Sequence, residues 1–386
     1  MSATTHCPGC GGAELGATVR LPNQPVVLNY RFTSVEEARR VPRRDVTLVQ
    51  CAACGLVFNS SFDPSVIPYD ERYENRQCFS PAFQDYLEQM ARDLTERHGL
   101  RGGRILEVGC GKGDFLRLIC RLAAAQGTGY DTTYEGPEAE EGRAVRFVRQ
   151  YVTAAQVTGR FDAVICRHVI EHVPNIGEFL RELSAVARAA GGPVVVLETP
   201  SFEWIVEHGC FWDVFYEHCN YFTLPTLAFL AERAGFRLER HSVVFGGQYQ
   251  LLELRFAGEP AVCPKSPGTP AGGELARFAE AVTTARQNLE ARLCEAGAER
   301  GWAIWGAGAK GVALVSQLTI APPRFLVDAN PAKQGCVVPA SSVPVISPDD
   351  PRVLDVPVIL VANPNYLDEI KAALAAKGFR HTLVST

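Results

Sequence analysis

The sequence predicts an α/β protein in three parts: a cysteine-bearing N-terminal module, a central Rossmann-like domain and a smaller C-terminal α/β domain. Three observations carry this. Two Cys-x-x-Cys pairs, Cys7-Pro8-Gly9-Cys10 and Cys51-Ala52-Ala53-Cys54, lie near the start. A glycine-rich turn, Gly109-Cys110-Gly111-Lys112-Gly113, heads a run of alternating strand and helix signals. A second such turn, Gly306-Ala307-Gly308-Ala309-Lys310-Gly311, opens another alternation after a Pro/Gly-rich stretch at 258–273 that reads as a linker. The expected boundaries are 1–68, 69–258 and 259–386.

The cysteine pairs read as two zinc knuckles. A tight turn aims both thiolates of each pair at one ion, a following glycine (Gly11, Gly55) permits positive φ, and Cys7, Cys10, Cys51 and Cys54 complete a tetrahedral set with no open position, so the Zn²⁺ is expected to be structural. Next comes an amphipathic helix over 81–98, with Phe83, Tyr86, Leu87, Met90 and Leu94 on one face. Strands are expected at 104–108, 127–130, 161–166 and 193–197, with helices at 115–125 and 176–190 between them, the order of a doubly wound sheet. A helix at 226–234 and an antiparallel strand pair at 238–244 and 250–256 complete that domain. Beyond the linker the pattern gives a helix at 274–296, strands at 302–305, 325–327 and 358–361, and helices at 311–318 and 366–377.

With 386 residues, 47% hydrophobic and 21% charged, the chain has enough apolar surface for real cores. Thirty-eight Lys and Arg against 43 Asp and Glu leave a net charge of −5, which argues against nucleic acid as a partner. No apolar run is long enough for a membrane span, and the first residues resemble no signal peptide; thirteen cysteines, an odd number, fit a reducing compartment, so a cytoplasmic protein is expected.

The first glycine turn lets a ligand approach the backbone at a helix N-terminus, and Asp131, at the end of the next strand, can accept hydrogen bonds from two ribose hydroxyls. Glu107-x-Gly109-x-Gly111-x-Gly113 with Asp131 resembles the S-adenosylmethionine site of class I methyltransferases. The segments Phe161–Ile165, His168-Val169-Ile170-Glu171-His172-Val173 and Gly191-Gly192-Pro193 follow in that family's order. Cys110 and His168 are counted with the cofactor-binding positions, although a packed core role is the plainer reading of each.

All three blocks together, over nearly the whole chain, resemble the sugar C-methyltransferase family, enzymes that methylate nucleotide-linked ketodeoxysugars at carbon next to the ketone. The resemblance implies a small-molecule substrate of that kind. The family's motif Phe-Asp-x-Ile-Tyr-His-Glu-His-x-x-Tyr-Phe meets Phe211-Trp212-Asp213-Val214-Phe215-Tyr216-Glu217-His218-Cys219-Asn220-Tyr221-Phe222 without the motif's tyrosine and first histidine, which are Phe215 and Tyr216 here. Carbon becomes nucleophilic only after a base removes the proton α to the ketone, and histidine suits that at neutral pH. His218 is the expected base, with Glu217 orienting it or binding a substrate hydroxyl, and His172 polarising the ketone oxygen or sharing the proton. Tyr216 is a candidate replacement phenol. The resemblance further implies that Tyr73 covers the ligands, that Ser80 reaches the methionine carboxylate, and that Tyr221, Gly308 and Lys310 contact substrate, Lys310 facing its phosphates. Lys333, in a turn, reads as solvated. Two alternatives stay open: methyl transfer to oxygen or nitrogen of a related small molecule, and an NAD(P)-dependent oxidoreductase using Gly306-x-Gly308-x-x-Gly311 with Asp328.

Overall fold

A computed structural model describes residues 4–68, 70–139, 144–258, 273–379 and 382–386. The expected linker therefore falls, apart from its two ends, outside the described residues. Gly11 and Gly55 take φ of 80° and 79°, the left-handed turn each knuckle needs. Strand β1 (Leu15–Pro25), helix α1 (Val35–Arg39) and strands β2 (Arg43–Cys51) and β3 (Val57–Asn59) follow. This antiparallel sheet was not foreseen in the sequence: β1 is largely exposed, with burial only at scattered positions.

Helix α2 (Pro81–His98) buries Phe83, Leu87, Met90 and Leu94 as its periodicity predicts. It leads into β4 (Arg104–Val108), α3 (Asp114–Ala123), β5 (Gln126–Tyr130), β6 (Val145–Val148), β7 (Ala163–Arg167), α4 (Ile176–Ala189), β8 (Val194–Pro200), α5 (Phe202–Glu207), β9 (Asn220–Tyr221), α6 (Leu224–Arg233), β10 (Phe236–Val244) and β11 (Tyr249–Phe256). Seven of these strands form a sheet in the order β10-β11-β8-β7-β4-β5-β6, parallel except for β11 against β8 and β10. Strand β6, also absent from the sequence reading, forms its edge. Strand order reverses beside β4, so the carboxyl ends of β4, β5 and β7 open on one crevice, where such sheets bind ligands.

The last part comprises α7 (Glu274–Glu295), β12 (Trp302–Trp305), α8 (Ala309–Gln317), β13 (Leu326–Val327), β14 (Val345–Ile346), β15 (Val358–Val361), α9 (Leu367–Ala376) and β16 (Thr382–Ser385). Its parallel sheet runs β14-β13-β12-β15-β16.

Two long-range packings position the site. Strand β9 adds to the N-terminal sheet through β3, pairing Val57 with Tyr221 and Phe58 with Asn220, so the cysteine module grips the segment just after Glu217 and His218. One buried cluster joins Val46 and Leu48 of β2 to Phe211, Tyr216, Trp302 and Val338, tying the same sheet to the C-terminal part. Among the described residues no helix is long and apolar enough to cross a membrane.

Candidate active site

The cofactor end is built by the turn between β4 and α3. Gly109 has φ 71°, and a Cβ there would overlap Val169 Cγ2. Gly109→Ala is therefore expected to cost about 1–3 kcal/mol of stability, read by thermal denaturation, and to weaken cofactor affinity in calorimetry. Gly111, at φ 53°, has open space where a Cβ would point. Asp131 closes the turn, accepting the Gly111 N–H at 2.8 Å and the Thr133 N–H and hydroxyl at 2.7 Å. Glu107 is 3% exposed and its Oε2 has no partner. Burial pushes its carboxyl up to about 8, against the pull of Arg167. An unpaired buried oxygen, an open glycine and a strand-end aspartate suit a ligand with an amino group and a ribose. Cys110 is buried against Gly129.

Beside this turn lies a buried polar cluster. His168 follows β7 at φ 52°, its Nδ1 3.3 Å from Glu171 Oε1 and its Nε2 3.3 Å from Glu198. Burial lowers its pKa, but Glu198 and Glu171 outweigh that and lift it to about 9. Arg167 pairs with Glu198, whose other oxygen accepts the Tyr86 hydroxyl at 2.5 Å. Glu198 is fully buried, yet Arg167 and His168 hold its carboxyl well below the usual range.

Glu171 and His172 follow on a short 3-10 turn, and His218 approaches from the segment before β9. One nitrogen of each histidine and one oxygen of Glu171 lie within 4.8 Å of one another. The two imidazoles meet edge to face, ring centroids 4.7 Å apart. His172 Nδ1 is 2.9 Å from the Glu217 carbonyl, an acceptor, so Nδ1 carries the proton and the neutral ring keeps its lone pair on Nε2. Burial holds His172 below the ordinary imidazole value, with Glu171 opposing. Burial and then His172, His168 and Lys310 hold His218 well below it. Both rings are neutral at pH 7.

Several expected roles are corrected by the packing. The Tyr216 hydroxyl accepts the Asp63 N–H at 2.9 Å and donates to Ser61 O at 3.3 Å, so the phenol serves the N-terminal sheet; it is Phe215 whose ring lies 4.0 Å from His218. The Glu217 carboxyl does not orient His218: its Oε2 accepts the Leu28 N–H at 3.0 Å, its Oε1 has no hydrogen-bond partner among the described residues, and burial raises it to about 8. What Glu217 orients, through its carbonyl, is His172. The Tyr221 hydroxyl closes on the backbone N–H and carbonyl of Phe215. Lys310 does not face open solvent for phosphates: it pairs with Asp213 at 2.7 Å and donates to Gln248 at 3.1 Å. Ser80 caps α2 by accepting the Phe83 N–H and donates to Glu369 at 3.0 Å. Tyr73, packed edge to face with Tyr30 at 5.5 Å, is close enough for Glu217 and Glu171 to add to the rise that burial gives its hydroxyl.

The second glycine turn repeats the first: Asp328 accepts the Ala307 N–H at 2.7 Å, and Gly308, the N-cap of α8, has open space beside it. Lys333, expected to be solvated, is 7% exposed and donates to Ala307 O at 3.0 Å and Asn29 Oδ1 at 3.4 Å. The C-terminal part also holds the segment before α2, through Asn330 on Glu74, Tyr366 on Gln77, and Glu369 on Ser80 and Ala82. Sequence reasoning missed Glu171 and Glu198; only the place of Glu171 between two histidines hinted at it.

The four cysteines converge. Cys7 and Cys54 Sγ are 3.6 Å apart and Cys10 and Cys51 Sγ 3.5 Å, near the roughly 3.8 Å edge of a tetrahedron with metal–sulfur bonds of about 2.3 Å. Hydrogen bonds from Cys54 and Cys7 hold the Cys51 thiol far below its ordinary value. The set can hold one metal ion.

A family model described as a methyltransferase domain matches residues 82–241, and one described as the C-methyltransferase C-terminal domain matches residues 268–381. C-methyltransferase NovU of Streptomyces niveus is 26% identical over 97% of this chain and 94% of its own length. The chain thus carries a methyltransferase domain and a C-methyltransferase C-terminal domain, and is similar to a C-methyltransferase over nearly its whole length. It is a methyltransferase of the S-adenosylmethionine-dependent kind, as the methyltransferase domain implies. The ubiquinone biosynthesis O-methyltransferase of Chromobacterium violaceum is 33% identical, over only 26% of this chain and 46% of its own. Among solved structures, the Burkholderia thailandensis 1,6-didemethyltoxoflavin-N1-methyltransferase, with S-adenosylhomocysteine bound, covers 46% of this chain and 82% of itself at 20% identity, with a TM-score of 0.35.

Proposed function

We propose that the enzyme methylates a nucleotide-linked ketodeoxysugar at the carbon next to its ketone, by way of an enolate, with Zn²⁺ in the Cys7, Cys10, Cys51 and Cys54 site as a structural ion. One observation carries the reading: two half-buried imidazoles, both held towards the neutral form, lie together beside the cofactor turn. Transfer to a hydroxyl or amine, already nucleophilic, has less need of such a pair. An α C–H must lose its proton first, and a neutral imidazole is the base for it at pH 7.

His218 takes the proton in this account. His172, its Nδ1–H fixed on the Glu217 carbonyl, keeps its Nε2 lone pair as a second acceptor. Glu107, Gly109, Gly111, Gly113 and Asp131 would hold S-adenosylmethionine, which supplies an electrophilic methyl group. Tyr73 and the unpaired Glu217 Oε1 stand ready for a hydroxyl or ketone oxygen of the sugar. Gly308 and the α8 N-terminus offer N–H groups to its phosphates.

Asp131→Ala is expected to weaken S-adenosylmethionine binding about 10- to 100-fold, the worth of one or two charge-assisted hydrogen bonds, with kcat at saturation little changed. The reading itself is tested by incubating the enzyme with nucleoside-diphosphate-linked ketodeoxyhexoses and methyl-¹³C S-adenosylmethionine. A ¹³C-methyl bonded to carbon in the product spectrum is expected; a methyl on oxygen or nitrogen would overturn it.

A further inference from the structure

We propose that Glu171 is the positioning residue of this site, the carboxylate that carries the counter-charge when the His172–His218 pair takes up the substrate's proton. The inference rests on the enolate reading above. In that step the α C–H bond breaks, its electron pair passes into the enolate, and the proton adds to an imidazole nitrogen, so a neutral ring becomes a cation in a half-buried site. A buried cation is costly unless an anion stands beside it.

Glu171 is placed for that. It is 1% exposed, and one of its oxygens lies within 4.8 Å of a nitrogen on each histidine. Its carboxylate is fixed from both sides, Oε1 by His168 Nδ1 at 3.3 Å and Oε2 by the Thr199 hydroxyl at 3.1 Å. Its carbonyl accepts the Cys219 N–H at 2.8 Å, locking the turn to the segment that carries His218. The neighbouring charges already balance: Arg167 and His168 face Glu198 and Glu171. A proton gained by His172 or His218 leaves that group one positive charge in excess, with Glu171 beside it. Glu217 is unsuited to the task, because burial keeps its carboxyl largely protonated at neutral pH and it is turned to Leu28.

Among the described residues the other charged or titratable groups facing the pair are Tyr73 from the segment before α2, Tyr221 of β9 with its ring centroid 6.3 Å from that of His218, Lys310 from α8 and Lys333 from the turn after β13, through its effect on Glu217. None of these changes in Glu171→Gln, which keeps the hydrogen-bonding shape and removes the charge.

The test titrates the histidines of the full chain, ¹⁵N-labelled, by NMR in wild type, Glu171→Gln and Glu171→Asp, alongside kcat and KM against pH. Removing the anion disfavours imidazolium. In Glu171→Gln the His172 midpoint is therefore expected to fall by about one pKa unit and the acid limb of kcat to move to lower pH. The weaker base should lower plateau kcat about ten- to a hundredfold, with KM within about twofold. Glu171→Asp is expected to return both midpoint and limb towards wild type. An unmoved midpoint and limb in Glu171→Gln would overturn the inference even if turnover fell, since a purely structural loss is uniform in pH. If Glu171→Gln does not fold, Glu171→Asp decides: a wild-type-like midpoint supports the role, and one at the value of His172 in denatured chain overturns it. The NMR readout needs no substrate, so failure of the enolate reading, seen as no α-hydrogen exchange in wild type, is distinguishable from failure of this one.

Discussion

Replacing His218 by alanine is expected to lower kcat about a thousandfold while S-adenosylmethionine binds as in wild type. The ring is the base in the proposed step, and it lies beyond the glycine turn and Asp131, where the cofactor is expected to sit. His172→Ala should cost less, about ten- to a hundredfold, because the second imidazole shares the proton without being its first acceptor. The reverse order of the two effects would move the base to His172. The pH profile follows from the environment: activity needs a deprotonated ring, and burial holds both pKa values below the ordinary one. Turnover should therefore stay level as pH falls from neutral through the ordinary imidazole range and drop only below it. A limb centred at the ordinary value would contradict the buried site.

Loss of the metal is expected to have the second large effect. The cysteine module is welded to the rest of the chain: Gly177 N–H donates to Pro8 O at 3.0 Å, the Thr226 hydroxyl to Cys54 O at 3.1 Å, and Cys7, Cys51 and Cys54 share one buried cluster with Ile176, Leu227 and Leu230. From the second knuckle, β3 reaches β9 and so the histidine segment. Cys54→Ser, or exhaustive chelation, should abolish one equivalent of bound zinc per chain, destabilise the fold by about 4 kcal/mol or more, and lower turnover well before cofactor binding. Metal analysis, melting curves and calorimetry on the same sample check this. An enzyme that melts and turns over unchanged without metal would mean that the cysteines are simply reduced thiols.

The parts legible in the sequence were those whose chemistry is local. A knuckle needs two cysteines and a glycine within five residues; a cofactor turn needs its glycines between one strand and one helix. The four cysteines converge, and the glycines lie between β4 and α3. Helix α2 was equally plain, because four of the five apolar residues at helical spacing lie on its buried face. What could not be read depends on contacts between distant segments. Strand β1 is held by β2 and by packing against the C-terminal part, which its own pattern does not record. Lys333 is buried only because Asn29 and Ala307 converge on it from 304 and 26 residues away. The neighbours Phe215 and Tyr216 diverge, one ring against His218 and the other beside Phe62, so the adjacent phenol could not stand in for the absent tyrosine. Of the two roles open to Glu217, orienting His218 fails for a related reason: its backbone carbonyl, rather than its side chain, meets a histidine, and that histidine is His172.

The central claim is that the chain makes a carbon nucleophile with a histidine base. Incubating wild-type enzyme with a nucleoside-diphosphate-linked ketodeoxyhexose and S-adenosylhomocysteine in D₂O, and following the hydrogen α to the ketone by NMR, tests it without methyl transfer. The account predicts deuterium at that carbon at a rate that His218→Ala reduces about a thousandfold. A substrate that is methylated in turnover yet never exchanges that hydrogen would contradict it.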